Sequence, residues 1–493
     1  MASLLLGVDL GTTATKVVLC DESGASVATA SLPVALRSDA AGLAEADTAD
    51  WWSNVVALIP EVLRRGAARG ADVAGVATTG MTPAVVCVGP DGPVRRAILQ
   101  NDARAGAEIA ELRTRLQGLD LLSLTGSVLS QQSVAPTLRW LDRHEPATWA
   151  ATGSVVGSYD WLSQALGSEP HVEYNWAIES GMFDLDGSLL SPVLEAAGVD
   201  PGWLAPVRRS GDVVGTVSPQ AASATGLVSG TPIVVGGADH VLSALVAGLA
   251  APGDLLVKVG GAGDILVVAE RAVVDERLYL DSHPITGRWL PNGCMATSGT
   301  LIRWLQALLG GTDLSSLDAQ AAARRPAEVL CLPYFLGEKS PLHDPDLRGA
   351  FVGLHLGHDG ATLHRAVLEA IAYGFRHHLE VFGEVGVRVG DARVTNGGSR
   401  STLWKQILAD VLGIPLTPVV DHPGAGLGAA LAAGVGTGVV GGWEAAGGNI
   451  RRGATVVPRS EVAAVYGDAY ATWRQLGATL APVSNALSAR ARA

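Results

Sequence analysis

The segment LLLGVDLGTTATKVVLC, residues 4–20, places an aspartate, Asp9, at the end of an apolar run. The small residues that follow it are Gly11, Thr12 and Thr13. In a tight hairpin, successive backbone N–H groups and the threonine hydroxyls point outward and form a concavity that binds anions such as phosphate. The alternative is an ordinary β-hairpin in which Asp9 stabilises the turn through backbone hydrogen bonds.

If this hairpin holds phosphate, two charged side chains gain a role. Asp9 is placed to bind a magnesium ion, directly or through its water shell, because Mg²⁺ keeps several waters when proteins bind it. Lys16, further along the same segment, can add positive charge near the phosphates. The segment therefore predicts a site for nucleotide phosphates and their metal ion.

A second glycine-rich turn, VGGAGD at residues 259–264, lies between two apolar runs in the same way. Its glycines allow an anion to approach the backbone closely, although the hydroxyls of the first hairpin are missing. The last residue, Asp264, would repel phosphate if it pointed inward, so we expect it to point away. Two copies of this pattern of apolar strand, small-residue turn and apolar strand, about half a chain apart, indicate two related domains.

A second aspartate, Asp239, follows the apolar run TPIVV in the sequence GGADH. A carboxylate at a glycine-rich turn after a buried strand can project into a cleft, where it could accept a proton from a substrate hydroxyl. The alternative is that Asp239 serves as the N-cap of a helix that begins at His240.

The segment TNGGSRS, residues 395–401, leads directly into a predicted helix. Gly397 and Gly398 leave room for a flat ligand, and the N-terminus of the helix favours negative charge. Ser401 is expected to cap that helix and Gly413 to end it. Taken alone, the segment is also a common junction between a loop and a helix.

Two other polar segments are candidates for ligand contact, GMTP at residues 80–83 and QNDAR at residues 100–104. In the second, Asp102 and Arg104 could bind a ligand. They could equally form a helix cap with its own ion pair, and the residues alone leave both possibilities open.

Other nucleotide motifs are absent or poorly placed. No GxxxxGK[ST] occurs in the chain, so it is not a P-loop enzyme. A GxGxxG at residues 436–441 follows a predicted helix and opens no βαβ unit, so we interpret it as chance in a chain with 61 glycines. An NAD-dependent dehydrogenase would depend on that motif, and we therefore do not favour one.

Composition limits the remaining classes. With 493 residues the chain can bury more than one core, and two domains are expected. The formal charge of -13 disfavours a nucleic-acid partner, which needs a basic surface. The cysteines are scattered without a CxxC pair, and no signal peptide is recognised, which predicts a reduced, cytoplasmic location. Residues 424–443 carry no charge, but their glycines favour a closely packed buried helix over a membrane span.

Apolar runs that alternate with helical patterns predict an α/β fold. We expect a strand at residues 73–80 and a hairpin around PDGP at residues 90–93. Helical periodicity is found in several stretches, which are residues 51–65, 104–118, 299–311, 362–383 and 401–413. Pro60 is expected to kink or divide the first of these helices.

The order of these pieces decides among the alternatives. DLGTT, GMTP, QNDAR, APTLRWLDRHEP, GGADH, VGGAG, LPYFLGEKSPLHDPDLRGAFVGL and TNGGSRSTLWKQILADVLG resemble the FGGY family of carbohydrate kinases over nearly the whole chain, and among its members xylulokinases most. The resemblance implies an α/β fold of two actin-like (ribonuclease H-like) domains around a central cleft. It implies a sugar-binding domain at residues 1–236 and a nucleotide-binding domain at residues 237–493, with ATP and Mg²⁺ as cofactors.

The resemblance also implies roles for individual residues. Asp239 becomes the catalytic base and Asp9 the magnesium-associated carboxylate, acting through water. The residues implied in nucleotide binding are Gly11, Thr12, Thr13, Lys16, Gly260, Gly261, Ala262, Gly263, Gly299, Gly397, Gly398, Ser399 and Thr402. The residues implied in sugar binding are Met81, Thr82, Asp102, Asp239 and His240.

The chain departs from the xylulokinase pattern mainly where the sugar binds. Xylulokinases usually have GQMHG where this chain has GMTPA, GTSG where it has GAG, and a lysine where Thr137 stands. EYNWAIESG, residues 173–181, also differs. We therefore expect phosphoryl transfer from ATP to a small sugar, with D-xylulose as the first candidate and another pentulose or a polyol such as erythritol, xylitol or glycerol as alternatives. A non-catalytic actin-like nucleotide switch is the alternative from another class. The sequence predicts no nucleic-acid or membrane partner and leaves a homodimer open.

Overall fold

The computed structural model describes residues 3–38, 42–422, 424–448 and 450–492. The strands are β1 (Leu4–Leu10), β2 (Ala14–Cys20), β3 (Ser26–Pro33), β4 (Glu45–Ala46), β5 (Val73–Gly80), β6 (Val86–Gly89), β7 (Gly92–Pro93), β8 (Ala97–Ile98), β9 (Ser154–Val156), β10 (Val172–Glu173), β11 (Val207–Arg208), β12 (Val213–Thr216), β13 (Pro232–Ala238), β14 (Leu255–Val259), β15 (Gly263–Val267), β16 (Tyr279–Ser282), β17 (Trp289–Met295), β18 (Leu330–Leu332), β19 (Ala350–Val352), β20 (Ala392–Thr395) and β21 (Thr417–Pro418).

The α-helices are α1 (Thr48–Arg65), α2 (Gly106–Arg115), α3 (Leu121–Thr125), α4 (Val134–His144), α5 (Pro146–Ala151), α6 (Ser158–Leu166), α7 (Tyr174–Glu179), α8 (Ser191–Ala197), α9 (Pro219–Thr225), α10 (Asp239–Val246), α11 (Gly299–Leu308), α12 (Leu314–Ala322), α13 (Gly360–Glu384), α14 (Thr402–Leu412), α15 (Ala425–Gly436), α16 (Trp443–Ala446) and α17 (Ser460–Arg492). Short 3₁₀ turns occur at Pro201–Trp203 and Gly397–Arg400.

The chain divides into two compact units, neither of which is continuous in sequence. The first unit comprises Met1–Ala250, Leu280–Trp289 and Pro423–Asn449. The second comprises Ala251–Tyr279, Leu290–His422 and Ile450–Ala493. The single boundary predicted between residues 236 and 237 is therefore not where these units divide, because the chain crosses between them more than once. Each unit has a hydrophobic core of its own.

The first unit is built on a six-stranded sheet with the order β12-β13-β5-β1-β2-β3. Strand β1 runs parallel to β5, which runs parallel to β13, whereas β1, β2 and β3 form an antiparallel meander. The apolar run of β1 is mostly buried because the central strands of this sheet are covered on both faces. The meander therefore begins with the hairpin of DLGTT, and the parallel strands lie beside it.

Helix α15 belongs to the first unit although it lies far from the rest of that unit in sequence. Its glycines allow it to approach the sheet very closely: a Cβ atom at Gly7 would lie 1.9 Å from the carbonyl oxygen of Gly426. The predicted buried helix in residues 424–443 is thus confirmed over Ala425–Gly436. Among the described residues, no helix is long and apolar enough to cross a membrane.

The second unit repeats the plan of the first. Its sheet contains the consecutive strands β17-β15-β14-β20-β21. Strands β17, β15 and β14 are antiparallel neighbours, and β14, β20 and β21 are parallel neighbours. The order and directions match those of β3, β2, β1, β5 and β13, which confirms that the two glycine-rich hairpins belong to related halves.

Several local predictions can be compared with the structure directly. Residues 73–80 form strand β5, as predicted. Ser401 caps α14 by accepting from the N–H of Trp404, and Gly413 ends it in the left-handed conformation, as predicted. Helix α1 continues through Pro60, so the expected division of this helix is wrong. The predicted hairpin around residues 90–93 is present: β6 and β7 pair antiparallel, and Val85 and Ile98 exchange backbone hydrogen bonds further along its two arms.

Candidate active site

The parallel strands of the first unit bring both predicted carboxylates to one edge of the sheet. In the sheet register, Asp9 on β1 lies opposite Thr79 on β5, and Thr79 lies opposite Gly237 on β13. Asp239 follows two residues later, at the first position of α10. Because neighbouring strands are about 4.8 Å apart, the ends of β1 and β13 are separated by roughly 10 Å. A gap of this size can hold a phosphoryl group next to a small acceptor.

The first hairpin closes as a tight turn directly after Asp9. The N–H of Gly11 donates to the carbonyl of Ala14 over 3.0 Å. Lys16 lies opposite Asp9 across the hairpin, so the two charges are cross-strand neighbours. The first turn of α15 is adjacent, since a Cβ atom at Gly426 would lie 3.6 Å from the Cβ of Asp9. The sequence did not indicate that this helix borders the hairpin.

The GMTP loop follows β5 at the same sheet edge. The N–H of Met81 donates to the carbonyl of Leu10, and the hydroxyl of Thr12 lies 4.0 Å from the Met81 sulfur. The hydroxyl of Ser158 donates to the carbonyl of Met81 over 3.2 Å. These contacts join the predicted sugar loop to the predicted phosphate hairpin.

Thr82 is buried in this loop, with 5% of its surface exposed. Within the described parts of the chain its hydroxyl oxygen has no hydrogen-bond partner. Burying an unpartnered hydroxyl costs free energy, so such groups in native proteins call for an explanation such as a ligand or an ordered water. Thr82 is therefore a candidate for direct contact with a polar ligand.

Asp102 forms an ion pair rather than a helix cap. Arg104 donates from Nε to Oδ1 and from Nη2 to Oδ2 of Asp102, both over 2.7 Å, and Asp102 Oδ2 also accepts from the N–H of Ala44. The N-cap of α2 is Ala105, so Asp102 does not cap that helix. Both carboxylate oxygens are thus engaged inside the protein, and a sugar contact by Asp102 stays a prediction.

Asp239 lies at the N-terminus of α10 without capping it. The N-cap is Ala238, and the Asp239 side chain is 38% exposed. Its Oδ1 is 3.6 Å from Nδ1 of His240. Because the Asp239 carboxylate does not cap the N-terminus of α10, the capping alternative is not supported. The carboxylate is accessible to a substrate hydroxyl.

His240 also contacts a buried aspartate that sequence reasoning missed. Its Nε2 lies 2.7 Å from Oδ2 of Asp281, whose side chain is 2% exposed, and Glu179 completes the cluster. Burial opposes a positive charge on His240, but Asp281, Asp239 and Glu179 outweigh it and raise the pKa of His240 well above its ordinary value. Burial first, and then the charge of Asp281, raises the pKa of Glu179. No motif in the sequence pointed to either acid.

In the second unit, the second hairpin and the TNGG turn follow neighbouring parallel strands. Lys258 on β14 lies opposite Thr395 on β20, so both turns leave the same sheet edge. A Cβ atom at Gly260 would lie 3.1 Å from the side-chain nitrogen of Asn396. The two predicted nucleotide-binding turns are therefore in contact.

The carbonyl groups of the second hairpin are directed to the start of α11. Gly260 accepts from the N–H of Gly299 over 2.8 Å, and Gly261 accepts from the N–H groups of Ser298 and Thr300. These bonds fix the turn between Gly260 and Gly263 and occupy two of its carbonyl oxygens. Because these oxygens already accept hydrogen bonds within the protein, the turn is suited to present backbone N–H groups to an anion.

Asp264, which could have repelled phosphate, is paired within the hairpin. Its Oδ2 lies 3.3 Å from Nζ of Lys258, its cross-strand neighbour. The lysine offsets the negative charge of the aspartate beside the turn. This pairing differs from the simple outward orientation that we expected, but it removes the same electrostatic objection.

The TNGG turn is held by close packing. Gly398 lies against the ring of Trp404, where a Cβ atom would be 2.1 Å from Cζ3. Ser399 donates from its hydroxyl to the carbonyl of Asn396 over 2.7 Å, and Thr402 begins α14. The predicted nucleotide residues of this segment are thus assembled at one helix N-terminus.

Comparisons with known proteins agree with this geometry. Residues 4–246 match the N-terminal domain, and residues 261–437 the C-terminal domain, of the FGGY family of carbohydrate kinases. The chain is 26% identical over 441 residues to a xylulose kinase of Bacillus subtilis, covering 88% of each chain. It is 31% identical over 464 residues to an autoinducer-2 kinase of Yersinia enterocolitica, covering 88% of this chain and 86% of the relative.

Among solved structures, the chain resembles the xylulose kinase of Rhodospirillum rubrum with a TM-score of 0.91 at 40% identity, covering 98% of this chain and 99% of the other. This match extends through both units. The predicted α/β fold with two actin-like, ribonuclease H-like domains is thereby confirmed.

Proposed function

Because the chain belongs to the FGGY family of carbohydrate kinases, and so is a phosphotransferase that acts on a hydroxyl group, we propose that it transfers the γ-phosphoryl group of ATP to a ketopentose, with D-xylulose as the first candidate. The observation that carries this proposal is the placement of Asp239 and Asp9 at the ends of strands β13 and β1, on one edge of one sheet. One carboxylate suits the acceptor hydroxyl and the other suits the phosphate end of the reaction.

The sugar is proposed from relatives. The solved relative at 40% identity is a xylulose kinase, and so is the Bacillus subtilis relative. The relative at 31% identity is an autoinducer-2 kinase, which makes autoinducer-2 a second candidate. Another pentulose and a polyol such as xylitol, erythritol or glycerol remain alternatives, because the GMTP loop departs from the xylulokinase pattern.

Asp239 acts as the general base in this mechanism. Its exposed carboxylate accepts the proton of the acceptor hydroxyl as the oxygen attacks the γ-phosphorus in line with the leaving ADP. Phosphoryl transfer needs little covalent chemistry from the protein, so most of the rate comes from holding the two reactants in line and stabilising charge. The proton ends on Asp239, and ADP leaves with the electron pair of the broken P–O bond.

The nucleotide is assigned mainly to residues of the second unit, and the family pattern assigns phosphate contacts to the first hairpin of the first unit as well. Backbone groups of Gly260, Gly261, Ala262 and Gly263 hold phosphate oxygens, and the turn at Gly397 and Gly398, with Ser399, Thr402 and Gly299, holds the rest of the nucleotide. In the first hairpin, Gly11, Thr12, Thr13 and Lys16 donate to the γ-phosphate. These assignments follow the family pattern and are supported by the two turns being in contact.

Asp9 is the residue proposed to hold Mg²⁺, through water. The donor set fits this ion, because a solvent-shielded carboxylate oxygen, Asp9 Oδ1, lies next to a turn with two hydroxyls. Mg²⁺ in kinases is usually bound by one or two carboxylates, phosphate oxygens and waters. When bound, it neutralises negative charge on the β- and γ-phosphates.

Substrate choice is assigned to the buried loop after β5. Met81 and Thr82 line the acceptor side, and the unpartnered hydroxyl of Thr82 would form a hydrogen bond with a sugar hydroxyl. Asp102 shapes this region through its ion pair with Arg104. A site with buried polar groups rejects ligands that leave those groups unpaired, so Thr82 discriminates among hydroxyl patterns.

The proposal is tested by measuring ADP release with an array of ketopentoses, aldoses, polyols and autoinducer-2. We expect one ketopentose to raise ATP turnover well above the rate with water alone. A Thr82→Val variant, which keeps the shape but removes the hydroxyl, should change the ranking of the acceptors and leave ADP affinity unaltered. If no acceptor stimulated turnover while ATP still bound, the non-catalytic nucleotide switch would be the correct function.

A further inference from the structure

His240 lies between carboxylates on both sides of its ring. Nε2 is 2.7 Å from Oδ2 of Asp281, and Nδ1 is 3.6 Å from Oδ1 of Asp239. Glu179 is the third acid near the ring. A carboxylate that is ionised can only accept hydrogen bonds, so the arrangement is satisfied when both ring nitrogens of His240 carry protons. At 3.6 Å, Nδ1 is not hydrogen-bonded to Asp239, so a sugar contact by His240 stays a prediction.

The exposed fraction of the side chain increases from Asp281 through His240 to Asp239. Asp281 is 2% exposed, His240 is 20% exposed and Asp239 is 38% exposed. The buried end is therefore fixed, and the exposed end is the one that a substrate can reach. A charge-assisted hydrogen bond at 2.7 Å is the stronger of the two contacts of His240, so Asp281 determines the orientation of the ring.

Asp281 is itself held in place by a side-chain clamp. Asn175 accepts from the N–H of Ser282 over 2.7 Å and donates to the carbonyl of the same residue over 3.1 Å. The clamp connects the segment Leu280–Trp289 to α7, whose N-cap is Glu173. Asp281 is thus carried by a segment that enters the first unit from elsewhere in the chain and is fixed next to His240.

We propose that Asp281 is a positioning residue, which holds the His240 ring beside Asp239 as the positive partner of an ion pair and thereby orients the catalytic carboxylate. This inference rests on the proposed role of Asp239 as general base. One oxygen of Asp239 faces the imidazolium, and the other stays available for the proton of the acceptor hydroxyl.

The charged groups around His240 agree with this assignment. The titratable groups that face it are Asp239, Asp281 and Glu179, with Glu173 beyond them. Burial lowers the pKa of the imidazole, but the three acids together raise it well above its ordinary range. His240 therefore stays protonated at neutral pH, where the kinase reaction would take place.

A bound divalent metal explains the cluster less well. Ligand atoms that share one ion at about 2.0–2.2 Å lie roughly 3 Å or more apart. The 2.7 Å between His240 Nε2 and Asp281 Oδ2 is instead the length of a charge-assisted hydrogen bond. The cluster is therefore built to hold a proton between nitrogen and oxygen.

The test compares Asp281→Asn, His240→Gln and the double variant with the wild type. We expect kcat of Asp281→Asn to fall roughly 10²-fold, the scale of a ~1 Å misplacement of a reacting group. The KM for sugar and the affinity for ADP should change much less. Without Asp281, the pKa of His240 should fall, because the buried ring loses its nearest negative partner, so activity of this variant should decline at a lower pH than that of the wild type.

The double variant should be no slower than His240→Gln alone, because Asp281 acts through the histidine. Asp142→Asn is the matched control, since it removes another 2.7 Å ion pair of the first unit, with Arg139, away from this cluster. A separate readout needs no mutation of Asp281: the His240 ring signal in the NMR spectrum, assigned with His240→Gln, should remain that of an imidazolium at about pH 7.5.

Three results would overturn the inference. They are wild-type kcat and pH profile in Asp281→Asn, multiplying effects in the double variant, or a wild-type His240 that titrates at its ordinary pKa. Asp239→Asn separates the two levels of the argument. If Asp239→Asn is inactive and Asp281→Asn is normal, only the positioning role fails. If Asp239→Asn keeps full activity, the proposed base fails and the positioning role fails with it.

Discussion

Replacing Gly398 by alanine tests whether packing against Trp404 holds the nucleotide-binding turn. The added Cβ would lie 2.1 Å from Cζ3 and 2.5 Å from Cε3 of the Trp404 ring. Ordinary contact begins near 3.4 Å, so either the ring or the turn must move by about 1.3 Å. Trp404 is 2% exposed and packed in the core of the second unit, so the turn is the part that shifts.

Overpacking of this kind costs about 1–3 kcal/mol. If that cost appears in the ligand-free protein, the thermal midpoint of the second unit should fall by roughly 2–4 °C for each kcal/mol. If it appears instead as a misplaced turn, the Kd for ADP should rise roughly 5- to 150-fold. Calorimetric titration with ADP and thermal unfolding without it measure the two effects separately.

Gly397→Ala is the matched control for stability. It makes the same substitution in the same turn, but a Cβ atom at Gly397 would meet nothing within 4 Å. The ligand-free stability of Gly397→Ala should therefore equal that of the wild type. Equal stability and equal ADP affinity of Gly398→Ala and the wild type would refute the reasoning that this packing positions the turn.

Three further predictions concern stability, pH and charge. Gly7→Ala should force β1 and α15 apart, since its Cβ would lie 1.9 Å from the carbonyl oxygen of Gly426, and a urea titration should show the unfolding free energy lowered by ~3 kcal/mol or more. Gly118→Ala, whose Cβ would meet open space, should be neutral in the same titration. Burial lowers the pKa of His378 from 6.5 to about 4, so this histidine should cost the second unit up to ~3 kcal/mol as pH falls from about 6.5 towards 4, because the unfolded state binds the proton first. Urea titrations at both ends of this range should show the loss, and His378→Gln should reduce it without removing it, because burial also lowers the pKa of His377, to about 3. Lys258→Met should weaken ATP binding, measured by titration, about fivefold, because the charge of Asp264 is then uncompensated. Adding Asp264→Asn should restore the affinity, and a double variant that binds as weakly as Lys258→Met would contradict the charge argument.

The features that the sequence predicted well are those encoded by short segments. Asp9 lies at the end of an apolar strand before a glycine-containing turn, Asp239 follows two glycines at the end of another apolar strand, and the structure places both at one edge of a sheet. The ends of α14 were also predictable, because Ser401 and Gly413 act on backbone groups within one helical turn. Local signals of this kind need no knowledge of the rest of the fold.

The features that were missed depend on contacts between distant segments. Asp281 is 41 residues from His240 in sequence, and only tertiary structure shows that the two side chains meet. Helix α15 packs on β1, more than four hundred residues earlier in the chain, so the boundary expected at residues 236/237 could not anticipate its place in the first unit. Pro60 does not divide α1, because packing of the helix in the core tolerates the lost hydrogen bond, and the alternative that it kinks the helix stays a prediction.

Asp102 marks the limit of inference from residue types. The sequence left a ligand contact and an ion pair equally open, and the structure shows the pair with Arg104. A buried carboxylate with both oxygens engaged can still shape a pocket without touching the ligand. Distances between side chains, which no single sequence provides, were needed to show the ion pair, and a sugar contact by Asp102 stays a prediction.

The role of Asp239 is tested most directly by the rate of ADP release from Asp239→Asn with saturating ATP and the best acceptor sugar. The substitution preserves the volume and removes the base. Turnover should fall by about 10²- to 10⁴-fold, as expected for the loss of a general base, while the affinity for ADP remains that of the wild type. Turnover within a factor of about two of the wild type would contradict the account that this carboxylate takes the proton of the sugar hydroxyl.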